Sequence, residues 1–158
     1  MNRLFRTAGA VAGLAVAALT TAAWAQQAPK PEQLIRWRQS AYQVIGWNSN
    51  RIKASLDGPY NKDEVVKASN AIAALANSGL GSLFPPGTET GKGWHDTTVK
   101  ATLFTNGARV GELAGNFSKE ATQLAAFAQT GDAAAVKEQY GRLTRTCKAC
   151  HDDFRNSN

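Results

Sequence analysis

The sequence predicts an all-α fold, an antiparallel bundle of four helices. Apolar residues recur at spacings of three and four in four segments, and no segment shows the apolar–polar alternation of a strand. Glycine and proline separate these segments, and most of the connections are short, which favours antiparallel neighbours. The chain is long enough for one domain with one good core.

The first 25 residues are predicted to be a secretory signal peptide. Arg3 and Arg6 are followed by an uncharged run rich in Ala, Gly, Val and Leu, which ends at a small-x-small pattern, Ala23-Trp24-Ala25. A permanent membrane helix is the alternative, but the run is only weakly apolar and ends in a cleavage pattern. We therefore expect a mature domain of residues 26–158, exported without a membrane anchor, to the periplasm if the cell is Gram-negative.

The first helix is expected from about residue 31, where proline is tolerated, to about residue 56, where Asp57-Gly58-Pro59 stops it. Its inward row consists of Leu34, Arg38, Ala41, Ile45, Asn48 and Ile52. The second helix spans about 62–77 and opens at Asn61, with Glu64 in the position of a capping-box acid. Its inner face holds Val65, Ser69, Ile72 and Ala76.

The second half of the chain begins with a long loop. Residues 79–93 hold five glycines and Pro85-Pro86, and loops of that length in a compact domain are often functional. The third helix is expected from about Trp94 to about Gln129, with a stripe of Val99, Leu103, Val110, Leu113, Phe117 and Leu124. Gly131 and the N-cap Asp132 lead into the fourth helix, about 133–155, whose row is Val136, Tyr140, Leu143, Cys147, Cys150 and Phe154.

The charge of the mature chain is mildly basic. Without residues 1–25 it has 16 Lys and Arg against 12 Asp and Glu, a formal charge of +4. The positive residues form no run or stripe, so no nucleic-acid partner is implied. There are only two cysteines, three positions apart, whereas a disulfide framework would spread more of them along the chain.

The segment Cys147-Lys148-Ala149-Cys150-His151 matches C-x-x-C-H, the attachment motif of c-type haem. Two thiols one helical turn apart can add to the two vinyl groups on one edge of a porphyrin. The imidazole of the next residue can then reach the iron from below the ring. We therefore predict one haem c, bound covalently through Cys147 and Cys150, with His151 as the iron ligand.

Three other interpretations of this motif are weaker. A zinc site needs about four ligands, and only His95 remains among the other cysteines and histidines. A thioredoxin-like pair belongs to a βαβ context, which an all-helical chain does not offer. A structural disulfide is sterically awkward between adjacent helical turns and leaves His151 without a role.

The inventory of ligands for the other face of the iron favours an open position. Methionine is the usual partner of histidine in electron-transfer cytochromes c, and the only methionine is Met1, which leaves with the signal peptide. His95 stands at the predicted start of a helix, next to Asp96, where a surface position is expected. A lysine ligand would have to lose its proton against a pKa near 10.4. Five-coordinate, high-spin iron is the resulting prediction.

These features together resemble the cytochrome c′ family, whose members are exported four-helix proteins with this motif near the C-terminus. The resemblance spans essentially the whole mature chain. Its strongest local matches are Cys147–His151 with Arg155, the segment Trp37–Tyr42, and the segment Phe84–Glu89. C-x-x-C-H alone would not choose between cytochrome families, whereas its position after three helices does.

The resemblance implies a role for several residues. The haem would lie inside the bundle, with Arg38 and Gln39 meeting its propionates and Tyr42 covering the open face of the iron. Arg155 would lie against the proximal side. Two further residues, Thr88 and Glu89, would lie near the haem edge. Arg38 could instead be a solvated helix residue and Tyr42 ordinary core, although a buried arginine on the inward row requires an anion.

The function implied by the resemblance is binding of small gases, nitric oxide and carbon monoxide, with a capacity for electron transfer. The alternative is a plain electron carrier that works with an unidentified redox partner and no gas ligand. A peroxidase is a weaker third possibility, because its distal acid–base pair of His and Arg cannot be placed on the first helix. We therefore predict a non-enzyme, and the family resemblance implies a homodimer with Trp47 as a possible contact.

Overall fold

The computed structural model describes residues 28–156, which form a four-helix bundle. The helices are α1 (Pro31–Asp57), α2 (Lys62–Ala76), α3 (Gly107–Thr130) and α4 (Ala133–Phe154). Short 3₁₀ turns occupy Leu80–Leu83 and Ala101–Phe104 in the connection between α2 and α3. The described residues contain no strand, so the all-α prediction is confirmed. The predicted signal peptide lies outside them.

Within residues 28–156, no helix combines the length and the apolar character needed to cross a membrane.

Local signals in the sequence set most of the helix ends. Pro31 is the first residue of α1. The Asn61 side chain accepts a hydrogen bond from the Glu64 backbone N–H at 3.1 Å, which caps α2. Asp132 Oδ1 accepts from the backbone N–H of Ala134 at 2.9 Å and caps α4 in the same way. These caps satisfy donors that the first helical turn would otherwise leave without partners.

The core lies along the bundle axis between helices that are neighbours in sequence. α1 packs on α2, α2 on α3 and α3 on α4. Each fully buried aliphatic side chain stabilises the fold by roughly 1.5–3 kcal/mol relative to its exposed state. The apolar cluster consists of Ile45, Ile52, Val65, Ala68, Ile72, Ala121, Leu124, Ala128, Val136 and Leu143.

The α1–α4 pair is packed less closely than the other neighbours in the described part of the chain. One link between the two helices is the Tyr140 hydroxyl, which lies 2.8 Å from Ser49 Oγ and donates to Ser49 O at 3.2 Å. Tyr42 lies in the N-terminal part of α1, and the C-x-x-C-H motif lies in the C-terminal part of α4. The predicted site therefore lies on the two neighbouring helices that pack least closely in the described part of the chain.

The third helix begins at Gly107, so the expected start near Trp94 is wrong. Residues 91–97 instead form a tight turn, in which the Thr97 N–H donates to Gly91 O at 3.0 Å. This turn packs on α1, and its side-chain contacts compete with helix formation. Two residues of the predicted stripe, Val99 and Leu103, therefore precede α3.

Candidate haem site

The C-x-x-C-H motif occupies the last turns of α4. Cys147 and Cys150 are free thiols and half-buried, and Cys147 Sγ donates to Leu143 O at 3.6 Å. Burial raises the pKa of both thiols. A redox-active thiol would need the opposite shift, so this environment does not suit a thioredoxin-like pair. Within residues 28–156, no three His, Cys, Asp or Glu residues cluster as metal ligands.

His151 follows the second cysteine in the last turn of α4. Burial lowers its pKa, and the positive charge of Arg155 lowers it further. Both effects favour the neutral imidazole, which is the form that binds a metal. The backbone N–H of Arg155 also donates to His151 O at 3.0 Å and closes the helix. The charge of Arg155 is therefore near enough to His151 to affect its pKa.

The end of α4 is fastened to the chain that precedes α3. The Lys100 N–H donates to Phe154 O at 2.8 Å, and the Asn156 N–H donates to Thr98 O at 2.8 Å. Lys100 Nζ donates to the backbone oxygen of Asp152 at 2.9 Å. The residues around His151 are therefore held by the connection between α2 and α3 as well as by their own helix.

Arg38 is buried on the inward face of α1, 4 % exposed, as its row predicts. Nη1 donates to Thr88 Oγ1 at 2.8 Å and to Leu83 O at 3.3 Å. Nη2 donates to Thr88 O and to Thr97 Oγ1, both at 2.7 Å. The guanidinium is thus fixed by the α2–α3 connection, and every one of these acceptors is a neutral oxygen.

This arrangement leaves a buried positive charge without a bonded carboxylate among the described residues. Burial lowers the pKa of Arg38, and the negative charge of Glu89 partly offsets this. The Glu89 carboxylate itself accepts from the Gly87 N–H at 2.8 and 3.0 Å, so it orders its own turn. A buried cation of this kind fits the arrival of an anion such as a haem propionate. The residues present therefore suit the group that the motif implies.

Gln39 binds the turn at residues 93–95 to α1. Gln39 Oε1 accepts from the Trp94 N–H at 2.7 Å, and Nε2 donates to His95 O at 2.9 Å. A Cβ atom at Gly93 would lie 2.8 Å from the backbone nitrogen of Arg36, so only glycine fits this approach. Gln39 therefore fixes the connection that binds Arg38 to the side of α1.

Tyr42 lies one turn after Arg38 on α1 and faces the motif on α4. The residue is 43 % exposed, yet burial raises the pKa of Tyr42 to about 12, and negative charge on the thiolate forms of Cys150 and Cys147 adds to the effect. The ring packs edge-on against Phe84, with centroids 6.4 Å apart and planes inclined at 64°. Tyr42 and the two cysteines are therefore neighbours across the α1–α4 gap.

The structure brings most of the predicted site residues together around this gap. Thr88 is buried against Arg38, Glu89 accepts a hydrogen bond from the Gly87 N–H, and Gln39 donates to His95 O. Sequence reasoning assigned no role to Phe84 or Thr97. Phe84 belongs to a segment that resembles the family, whereas Thr97 carries no sequence signal because its contact with Arg38 joins residues 59 positions apart.

The family follows from comparison with known proteins. The family model described as Cytochrome C' matches residues 33–155. The chain belongs to the cytochrome c′ family. The cytochrome c′ of Rhodocyclus tenuis is 65 % identical over 127 residues, covering 80 % of this chain and 96 % of the relative. That of Allochromatium vinosum is 43 % identical over 148 residues, covering 94 % and 96 %.

Solved cytochromes c′ have the same fold. The crystal structure of the protein from Thermochromatium tepidum superimposes with a TM-score of 0.79 at 44 % identity, covering 82 % of this chain and 98 % of that one. A second cytochrome c′ structure with the same agreement is described as having an unusual ligand-controlled dimer dissociation. Variants of the Alcaligenes xylosoxidans protein, 25 % identical with a TM-score of 0.72, were solved with carbon monoxide and with nitric oxide, each covering 81 % of this chain and 98 % of that one.

Cytochromes c′ bind haem c, and the cofactor prediction is therefore confirmed. The two cysteines near the C-terminus suit its covalent attachment.

Proposed function

We propose that this family member is an exported haem c protein that binds nitric oxide or carbon monoxide at an open position on the iron, and that it can also transfer electrons. Haem, when bound, supplies an iron that changes oxidation state and can take a diatomic gas. The chain attaches it through Cys147 and Cys150 and provides His151 as the ligand on one side. We propose that the protein acts as a gas-binding protein and electron carrier, not as an enzyme.

One observation carries this proposal: Tyr42 of α1 lies close enough to Cys147 and Cys150 for their charge to affect its pKa, and it keeps its proton. Burial raises the pKa of Tyr42 to about 12, so the phenol is neutral at physiological pH. Tyrosine ligates haem iron as the phenolate, as in catalase. A neutral Tyr42 therefore covers the open face without occupying it.

The other potential ligands are unsuited to that face. Met1 is the only methionine, and it belongs to the predicted signal peptide. His95 Nδ1 lies 2.8 Å from Asp96 O and 3.3 Å from Gln39 Nε2, in the turn docked on the outside of α1. These contacts hold the imidazole in the loop and favour five-coordinate iron.

Arg38 is the proposed partner of a haem propionate. Its four hydrogen bonds use Nη1 and Nη2, which leaves Nε for a further acceptor. Thr88 and Glu89 then contribute indirectly, Thr88 by orienting the guanidinium and Glu89 by ordering the turn at Gly87. Gln39 and Arg155 have similar supporting roles, one in the loop and one beside His151.

Related proteins support gas binding. Variants of a cytochrome c′ with 25 % identity form complexes with carbon monoxide and nitric oxide. If Tyr42 covers the open face of the iron, a gas that binds there would have to displace its ring. We accordingly assign to this protein the same two ligands, and an exported location that follows from the predicted signal peptide at residues 1–25.

Absorption spectra of the oxidised and reduced protein, with and without carbon monoxide, test this function. We expect broad high-spin spectra in both states near neutral pH and a sharp, intense change when carbon monoxide is added to the reduced protein. A reduced spectrum with sharp, split α and β bands before gas is added would show that a protein side chain occupies the open position. That result would favour the plain electron carrier.

A further inference from the structure

Phe84 is a second aromatic residue at the gas site, with no role in the function described so far. Resting on the proposed gas binding, we propose that Phe84 is a positioning residue for Tyr42: its ring supports the tyrosine ring and resists displacement of that ring by an incoming gas. The inference depends on two contacts of Phe84, one with Tyr42 and one with Arg38.

The contact between the two rings has a favourable geometry. Their centroids are 6.4 Å apart and their planes are inclined at 64°, an edge-to-face arrangement. Tyr42 is 43 % exposed, so protein atoms cover only part of its surface. Phe84 supplies one aromatic contact to that covered part.

Phe84 is itself held in position by a buried group. The guanidinium carbon of Arg38 lies 4.7 Å from the centroid of the Phe84 ring, within the range of a cation–π contact. Arg38 Nη1 also donates to the backbone oxygen of Leu83, directly before Phe84, at 3.3 Å. Since Arg38 is buried and bonded to Thr88 and Thr97, the phenylalanine is supported by a fixed structure.

These two contacts make the Tyr42 position depend on the α2–α3 connection. Tyr42 and Arg38 both belong to α1. Phe84 belongs to the α2–α3 connection, where it directly follows the 3₁₀ turn Leu80–Leu83. A gas that displaces Tyr42 must either separate the two aromatic rings or move a phenylalanine that Arg38 holds. Removing the Phe84 ring therefore lowers the cost of opening while the haem attachment through Cys147 and Cys150 stays intact.

The test is a double-mutant cycle on carbon monoxide binding to the reduced protein. Phe84→Leu should raise the affinity roughly 2- to 10-fold when Tyr42 is present, which is the range expected for loss of one aromatic pair. In the Tyr42→Ala background the same substitution should have no effect, because the ring that Phe84 supports is gone. Phe127→Leu is the matched control, since Phe127 packs on the core in α3 and should leave gas affinity unchanged.

A second measurement needs no gas. Urea unfolding midpoints of the oxidised protein should be non-additive for Phe84→Leu and Tyr42→Ala, because the two rings stabilise each other in the folded chain. Phe84→Met provides a variant of similar volume in the event that Phe84→Leu does not fold. Additive midpoints, together with equal gas affinity changes in both backgrounds, would show that Phe84 has only a general structural role and would overturn the inference.

The outcomes also separate this inference from the proposed function. If Tyr42→Ala raises gas affinity but Phe84→Leu does not, gas binding under a tyrosine stands and the role of Phe84 is rejected. If Tyr42→Ala itself leaves gas affinity unchanged, Tyr42 is not a barrier, and both the covered gas site and the role of Phe84 are rejected.

Discussion

Three side chains at the site have ionisation states that suit haem binding. Burial and the charge of Arg155 favour the neutral form of His151, and burial keeps the proton on Tyr42. Arg38 remains charged despite burial, because an arginine does not lose its proton in proteins. In the proposed site, His151 would serve as a neutral ligand, Tyr42 as a neutral cover and Arg38 as a buried cation. That combination matches an iron with one open face and a carboxylate on the porphyrin edge.

Replacing Tyr42 with alanine should strengthen carbon monoxide binding. Burying a large apolar side chain is worth about 1.5–3 kcal/mol, and displacing Tyr42 forfeits part of this. The expected gain is about 10- to 100-fold in affinity or association rate, toward the lower end because the ring is 43 % exposed. Flash photolysis and equilibrium titration measure it.

Tyr42→Phe is the control, and it should behave like the unaltered protein if the effect is steric. A Tyr42→Ala variant with unchanged affinity and association rate would show that Tyr42 is ordinary core.

The raised pKa of Tyr42 also predicts a loss of stability at alkaline pH. Below pH 10, the ordinary value for tyrosine, the hydroxyl is protonated in both the folded and the unfolded chain. Between that value and about 12 the unfolded chain ionises while the folded chain does not, so the free energy of unfolding falls as pH rises. One titrating group limits the slope to about 1.4 kcal/mol per pH unit, and the partial exposure of Tyr42 makes it smaller.

Urea unfolding of the unaltered protein and of Tyr42→Phe across this range isolates the effect. The difference between their free energies of unfolding should be constant below pH 10. Above pH 10, the free energy of unfolding of the unaltered protein should fall relative to that of Tyr42→Phe. A difference that stays constant up to pH 12 would contradict the raised pKa.

Among the helices, those whose ends depend on local signals could be predicted from sequence. α1, α2 and α4 end within about a residue or two of the expected positions, because a cap or a stop sequence lies next to each end. The start of α3 was misplaced by 13 residues, since the apolar spacing continues through 94–106 although the chain there docks on α1. Non-local contacts override the helical pattern at that point.

The same distinction applies to the site. Cys147, Cys150 and His151 form a local motif, so the haem c cofactor could be predicted from the sequence. Arg38 could be placed on the inward row, but its partners Thr88 and Thr97 are 50 and 59 positions away. Their contact depends on how the α2–α3 connection folds over α1, which no local pattern specifies.

The docking of that connection on α1 depends on Gly93. A Cβ atom there would lie 2.8 and 2.9 Å from backbone atoms of Arg36, which cannot move without shifting α1. Gly93→Ala should therefore destabilise the protein by about 1–3 kcal/mol, as overpacked sites do. Urea unfolding measures the loss.

Gly115→Ala in α3 is the matched control for the same chemical change. A Cβ at Gly115 would meet nothing within 4 Å, and alanine should stabilise this helical position by about 0.5–1 kcal/mol. Equal changes in the free energy of unfolding for Gly93→Ala and Gly115→Ala would mean that the turn at Gly93 does not pack closely on α1.

For the molecule as a whole, the exposed apolar residues are concentrated on one helix. Three large apolar residues of α1 are exposed: Trp37 and Val44 by 43 % each and Trp47 by 60 %. Their spacing places them along one side of the helix. The Arg51 guanidinium carbon lies 4.6 Å from the Trp47 ring centroid, which orders that indole without covering it. We propose this surface as the contact between two copies of the chain, in keeping with a related cytochrome c′ whose structure is described as a dimer that dissociates under ligand control.

The last prediction concerns that surface. Tryptophan is enriched among interface residues whose loss costs at least about 2 kcal/mol, so Trp47→Glu should weaken dimerisation about 30-fold or more. Ala126→Glu adds the same charge to an exposed position on α3 and should leave dimerisation unchanged. Sedimentation equilibrium of both variants and of the unaltered protein gives the three dissociation constants. Equal weakening by both substitutions would point to a general charge effect, and a monomeric unaltered protein at high concentration would exclude α1 as a self-association surface.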